Sequence, residues 1–247
     1  MEIIDELKQR RKPIVTQKIR IYCIAKWFHR AFLKSPIFIG ILVTIVIIMI
    51  NLMNSKPKIQ DFPKIIYYMR HFQAKHNVDP KYLQVLDPDL TEYGIQQGLN
   101  MTFDNELELI ICSPLSRTIQ TYLSLFHDIE KRQLIPFMLD ADLQEVGEVL
   151  ADTARSKTQL KQKFPQLTSI IDRDLAEDFN DKNNPLYSIS SNNVKQRIIR
   201  FHQRLWRQRK EKHILIITHA GWLIRALNRK EPSNGEIVKK IYKNGVV

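Results

Sequence analysis

The chain has 247 residues and a formal net charge of +12, from 38 Lys and Arg against 26 Asp and Glu. With 7 glycines, 11 prolines and 44% hydrophobic residues it is not collagen-like, mucin-like or wholly disordered, and it is long enough for one folded domain with an extension. Two cysteines, Cys23 and Cys112, argue against a disulfide framework or a structural zinc site.

Residues 1–35 form a basic N-terminal tail with nine Lys or Arg against three acids. Residues 36–53, PIFIGILVTIVIIMINLM, follow without a charge, and only Thr44 and Asn51 among them are polar. At a rise of about 1.5 Å per residue this run covers roughly 27 Å, close to the lower limit for a membrane-spanning helix. A helix apolar on every face is seldom a core helix. The long basic lead, with no Ala-x-Ala pattern behind the run, argues against a cleaved signal peptide. The expectation is one transmembrane helix acting as a signal anchor. More Lys and Arg precede it than follow it, which points to a cytoplasmic N-terminus and a lumenal or extracellular C-terminal domain. The short span favours the endoplasmic reticulum or Golgi. The sequon Asn100-Met101-Thr102 agrees with a lumenal address, and residues 54–62, NSKPKIQDF, read as a stalk.

Residues 63–247 read as one domain. Apolar runs at 65–69 (IIYYM), 107–112 (LELIIC) and 214–218 (ILIIT) have the character of strands buried on both faces, and residues 236–242 can form a last strand. Between them, residues 91–103 suggest a helix capped by Thr91, and residues 116–126 a second. Val194, Ile198, Phe201 and Leu205, spaced by 4, 3 and 4, mark one face of a helix ending near residue 209. Strands alternating with helices imply an α/β fold, a three-layer, mostly parallel sheet flanked by helices.

In such a sheet, ligands bind beyond the carboxyl ends of the strands. There the sequence places Arg70-His71 and Asn77 after the first run, Ser113-Pro114-Leu115-Ser116-Arg117-Thr118 after the second, and His219-Ala220-Gly221 after the third. Two histidines and two arginines then converge on one edge, the composition of an anion site. Taken singly, each arginine also fits a surface ion pair. Half of the net charge flanks the expected anchor, so nucleic acid is not an expected partner. His29, His76, His127, His202 and His213 follow no strand in this way and receive no role.

The four motifs, 70–77 (RHFQAKHN), 90–97 (LTEYGIQQ), 113–121 (SPLSRTIQT) and 218–221 (THAG), occur in an order that resembles the histidine phosphatase, or phosphoglycerate mutase-like, superfamily. Residues 143–146, 151–153 and 163–165 look most like its fungal and plant phosphoglycerate mutase-like branch. The resemblance implies a phosphomonoesterase that needs neither metal nor cofactor and forms a phosphohistidine on His71. It implies that Arg70, Arg117, His219 and Asn77 hold the phosphoryl oxygens and that Glu145 is the acid/base group. Glu148, Asp140 and Asp142 lie near Glu145 in sequence. Phe72 stands where the family usually has glycine, and the expectation is that its ring narrows the phosphate pocket or tilts the loop. That motivates an alternative, a tethered pseudoenzyme that binds without turnover. A mutase is the lesser alternative, since a retained phosphorylated intermediate needs an enclosing lid and the chain ends soon after its last strand.

Overall fold

The computed structural model describes residues 63–103 and 106–242, with Thr44, Ile45 and Ile47, which are helical. The tail (1–35), the expected anchor (36–53) apart from those three residues, and the stalk (54–62) lie outside the described residues. Among the described residues no helix is long and apolar enough to cross a membrane. The chain divides into two units, Met1–Lys58 and Ile59–Val247, and the second carries the fold described below.

Five strands make one sheet: β1 (Lys64–Arg70), β2 (Leu109–Cys112), β3 (Phe137–Leu139), β4 (His213–Thr218) and β5 (Ile237–Tyr242), in the order β3-β2-β4-β1-β5. The first four are parallel and β5 runs antiparallel along β1. The helices are α1 (Lys75–Val78), α2 (Glu92–Asn100), α3 (Ser116–Leu125), α4 (Ile129–Leu134), α5 (Lys157–Lys163), α6 (Thr168–Asp174), α7 (Ser191–Gln208) and α8 (Ala220–Leu227).

Alternate strand residues face opposite sides, and both sides are covered. On one, Tyr67, Met69, Ile110, Cys112, Leu215 and Ile217 pack with Ile119, Tyr122 and Leu125 of α3 and with Leu160 and Ile171 of α5 and α6. On the other, Ile66, Tyr68, Ile111, Ile214 and Ile216 pack with Val194, Phe201 and Leu205 of α7 and with Trp222 and Leu223 of α8. This is the expected three-layer arrangement. Each large apolar side chain buried there contributes roughly 1.5–3 kcal/mol by leaving water.

Caps define the helices that approach the site. Thr91 Oγ1 accepts the Gly94 N–H at 2.9 Å and starts α2 at Glu92. That helix stops at Asn100, three residues before the expected end. α8 ends at Asn228, which takes the left-handed conformation at φ 46°. Strand register brings the carboxyl ends to one level, with Arg70 opposite Thr218 and Cys112 opposite Ile217. His71, Ser113 and His219 are the next residues along their strands.

Candidate active site

His71 leaves β1 almost wholly buried, 1% exposed. Its Nδ1 lies 2.6 Å from the Phe72 carbonyl, which can only accept, so Nδ1 carries the proton and Nε2 keeps its lone pair. Arg117 Nε donates to that Nε2 at 3.3 Å. Burial, then the Arg117 charge, hold the imidazole well below its ordinary 6.5, so His71 is neutral at pH 7. A neutral ring with a fixed tautomer and an unprotonated Nε2 is the form a nitrogen nucleophile needs.

Arg117, fully buried at the start of α3, also donates from Nη1 to the Ala151 carbonyl at 2.7 Å and from Nη2 to Asp152 Oδ1 at 3.2 Å. Ser116 and Arg117 are set in place by Asp87, whose carboxylate accepts the Ser116 N–H at 2.8 Å and its hydroxyl at 2.7 Å. Asp87 is itself fully buried and sits at φ 48°, a conformation that costs a non-glycine residue energy. Arg70 is clamped from the other side, with Nη1 donating to Glu231 Oε1 at 2.9 Å and to the Pro232 carbonyl at 2.6 Å, and its Nε is buried without a partner.

The His219 ring centroid lies 5.3 Å from that of His71. Its Nε2 lies 2.8 Å from Ser113 Oγ, and its Nδ1 is buried without a partner. With the serine hydroxyl donating to Nε2, Nδ1–H is a spare donor beside His71. Burial and the Arg117 charge keep this ring neutral too. Glu145 Oε2 accepts the Gly221 N–H in the first turn of α8 at 3.2 Å, and its Oε1 accepts the Val146 N–H at 2.8 Å. A helix N-terminus favours an anion at this position. Gly221 makes the approach possible, because a Cβ there would come within 2.5 Å of Glu145 Oε1.

The neighbouring acids go elsewhere. Asp140 pairs with Arg204, Asp142 pairs with Arg200 and Arg204 of α7, and Glu148 is exposed. Asn77 sits at the rim. Its Oδ1 accepts the Ala74 N–H at 2.9 Å and the Asn234 Nδ2 at 3.2 Å, which holds α1 against the loop after β1. Only its own amide nitrogen is left to meet a phosphate.

Phe72 does not narrow the pocket, contrary to expectation. Its ring is fully buried in the core on the α2 and α3 side, and Cβ atoms added at Gly98 or Gly235 would each stand 2.9 Å from it. Its N–H donates to Thr121 Oγ1 at 3.0 Å. Among the described non-glycine residues only Asp87 and Asn228 have positive φ, so position 72 does not demand glycine.

Several site residues escaped the sequence reading. The His76 ring lies 5.8 Å from that of His71 with its Nδ1 buried and unpartnered, and burial lowers its pKa to about 3. Asp152 belongs to a stretch already noted, but its pairing with Arg117 was not legible there. Burial pushes its carboxyl up. Asp87 stands four residues before the cap Thr91, which is the only clue to it. Lys182 comes from a segment with no pattern at all, and its Nζ reaches the Glu145 carbonyl at 3.4 Å.

Fold and site together define an α/β protein whose buried cations converge on a neutral histidine at the carboxyl edge of its sheet. Residues 66–233 match the histidine phosphatase superfamily, branch 1. The chain is 30% identical over 200 residues to a phosphoglycerate mutase-like protein of Arabidopsis thaliana, covering 65% of this chain and 72% of that one. It is 31% identical over 109 residues to a probable phosphatase of Schizosaccharomyces pombe, covering 41% and 50% of the two chains. Among solved structures, a phosphoglycerate mutase from Bacillus anthracis aligns with a TM-score of 0.49 at 14% identity, over 76% of this chain and 92% of that one. The chain belongs to the histidine phosphatase superfamily and is a phosphatase of that superfamily.

Proposed function

We propose that the protein is a membrane-anchored phosphomonoesterase that works through a phosphohistidine on His71 Nε2. The observation that carries this reading is the bond from His71 Nδ1 to the Phe72 carbonyl at 2.6 Å, which leaves Nε2 as the reactive atom beside Arg117. In the first step Nε2 attacks phosphorus, the P–N bond forms and the P–O ester bond breaks. A proton is delivered through Glu145 to the departing oxygen. In the second step Glu145 takes a proton from water as the water oxygen attacks phosphorus, the P–N bond breaks, and inorganic phosphate leaves. Arg70, Arg117 and the His219 Nδ1–H neutralise the equatorial oxygens throughout, with the Asn77 amide at the rim.

The apolar run 36–53 with its basic lead supports a signal anchor, with the catalytic domain lumenal or extracellular and the endoplasmic reticulum or Golgi as its membrane. Membership of the superfamily supports phosphorylated small molecules as partners, and the concentration of half the net charge in residues 1–35 speaks against nucleic acid.

Full-length protein in detergent should hydrolyse an aryl phosphate, and His71→Ala should remove the activity. Rapid acid-free quenching should trap an acid-labile, base-stable phosphoryl label on the wild type only. A label that survives in His71→Ala would overturn the assignment. Digestion of the C-terminal domain by protease added outside sealed microsomes would overturn the topology.

A further inference from the structure

Glu145 stands at the end of a short stretch whose carbonyls are taken one after another by side chains of the neighbouring elements. Trp222 Nε1 of α8 donates to the Asp142 carbonyl at 2.9 Å, and Thr218 Oγ1 at the end of β4 donates to the Leu143 carbonyl at 2.7 Å. Arg197 Nη2 of α7 donates to the Gln144 carbonyl at 2.8 Å and to the Glu145 carbonyl at 3.4 Å. Lys182 Nζ also reaches the Glu145 carbonyl, whereas among the described residues the Gln144 carbonyl has Arg197 alone. The Gln144 side chain closes the stretch from within, its Nε2 donating to the carbonyls of Ala141 at 3.0 Å and Phe179 at 2.9 Å.

Arg197 is the member of this set that packing does not explain. It is fully buried on the apolar face of α7, with Val194 and Phe201. Among the described residues its guanidinium pairs with no carboxylate, and its Nε and Nη1 are buried without a partner. A charge in such a place costs stability, and an apolar side chain of similar volume often does better. What Arg197 supplies is one nitrogen shared by two consecutive carbonyls. Peptide units are planar, so holding the carbonyls of 144 and 145 fixes the planes on either side of the Glu145 α-carbon, and with them the direction of its Cβ. From that direction the carboxylate meets the Gly221 N–H at 3.2 Å and the Val146 N–H at 2.8 Å.

We infer that Arg197 is a positioning residue, which from inside the core aims the Glu145 side chain at the leaving oxygen. This rests on the phosphatase reading above, and on Glu145 as the group through which the leaving oxygen receives its proton. Arg197 touches neither phosphate nor nucleophile, so its contribution to rate is made through Glu145 and is confined to the proton that Glu145 handles.

The test is kcat/KM of full-length protein in detergent for a series of phenyl phosphates graded in leaving-group acidity, since this constant covers the step that breaks the ester bond. Impaired proton delivery penalises the less acidic phenols and spares nitrophenol. Arg197→Lys keeps the charge but not the planar fork. It should lower kcat/KM about tenfold for unsubstituted phenyl phosphate and far less for the nitrophenyl ester. Arg197→Met should steepen the dependence further. In a Glu145→Gln background, itself steep, Arg197→Lys should add less than about twofold, because residues acting as one unit are not additive. A loss equal for every phenol, or full additivity with Glu145→Gln, overturns the inference and leaves Arg197 a packing role only. An Arg197→Lys enzyme indistinguishable from wild type overturns it too, whether or not Arg197→Met folds. A Glu145→Gln enzyme without leaving-group dependence removes the acid/base assignment itself, and a His71→Ala enzyme that still turns over removes the phosphohistidine reading.

Discussion

The ring of Phe72 rests on the backbone of Gly235, so closely that a Cβ at position 235 would stand 2.9 Å from two ring carbons. Gly235 has φ 78°, and its N–H reaches the carbonyls of Arg70 at 3.1 Å and His71 at 3.2 Å. Gly235→Ala combines an unfavourable backbone conformation with overpacking, so it should cost about 1–3 kcal/mol and lower kcat. Phe72→Gly should leave a cavity costing about 3–5 kcal/mol rather than improve turnover. Denaturant unfolding measures both, and a Phe72→Gly protein as stable as wild type and more active would contradict the packing argument.

In the proposed mechanism the neutral imidazole of His71 is the reactive form, and burial with Arg117 holds its pKa well below 6.5. Acidification removes activity only when that depressed value is reached. A profile of kcat/KM against pH should therefore stay level through 6.5, and a halving at 6.5 would show an ordinary histidine.

The same histidines tie stability to pH. His71 and His219 stay neutral in the fold, while the unfolded chain takes up protons near 6.5. The unfolded state then binds more protons, so stability is complete above 6.5 and declines below it. Each histidine contributes a slope of about 1.4 kcal/mol per pH unit. Asp87, Asp140 and Asp152, raised above 3.8 by burial, act in the opposite sense at lower pH, so the slope is read just below 6.5. A melting temperature flat across that window would contradict the buried neutral pair.

Glu145 and Glu148 are three residues apart, and only Glu145 meets the first turn of α8. Glu145→Gln should lower kcat about 10²–10⁴-fold on alkyl phosphates and far less on an aryl phosphate whose leaving oxygen needs no proton. Glu148→Gln should behave as wild type on both. Equal losses from the two variants would remove Glu145 from its role.

Asp87→Asn keeps a residue that tolerates φ 48° but leaves one of the two buried Ser116 donors unpaired. Stability should fall by about 1–3 kcal/mol. Because Arg117 follows Ser116 directly, kcat/KM should fall about tenfold as the guanidinium loses its register. An activity unchanged on a destabilised fold would make Asp87 a cap and nothing more.

Much of the fold was legible because β1, β2 and β4 are buried on both faces and therefore appear as unbroken apolar runs. β3 has three residues, too few for any period to show. α7 was marked by Val194, Phe201 and Leu205, but Arg197 lies on the same buried face and breaks the apolar rule there. Its guanidinium is needed by the Gln144 carbonyl, a contact across 53 positions. In the site, residues that follow strands announced themselves. Lys182 and His76 did not, because tertiary packing alone delivers them. Phe72 was misjudged for a related reason: its direction depends on space left by Gly98 and Gly235, which no local pattern reveals.

The clasp on β1 also fixes when the enzyme can begin to work. Arg70 is held by Glu231 and Pro232, and β1 gains its outer neighbour only when β5 is added. Glu231 is translated 161 residues after Arg70, a delay of about 8–32 s at ordinary synthesis rates. The proposed nucleophile is therefore made early and armed late. A chain interrupted before residue 231 would carry every residue of the proposed phosphoryl chemistry, yet Arg70 would be unclamped and the edge of β1 open. Such a fragment should be silent toward phosphate esters, which spares the cell a half-finished hydrolase during synthesis.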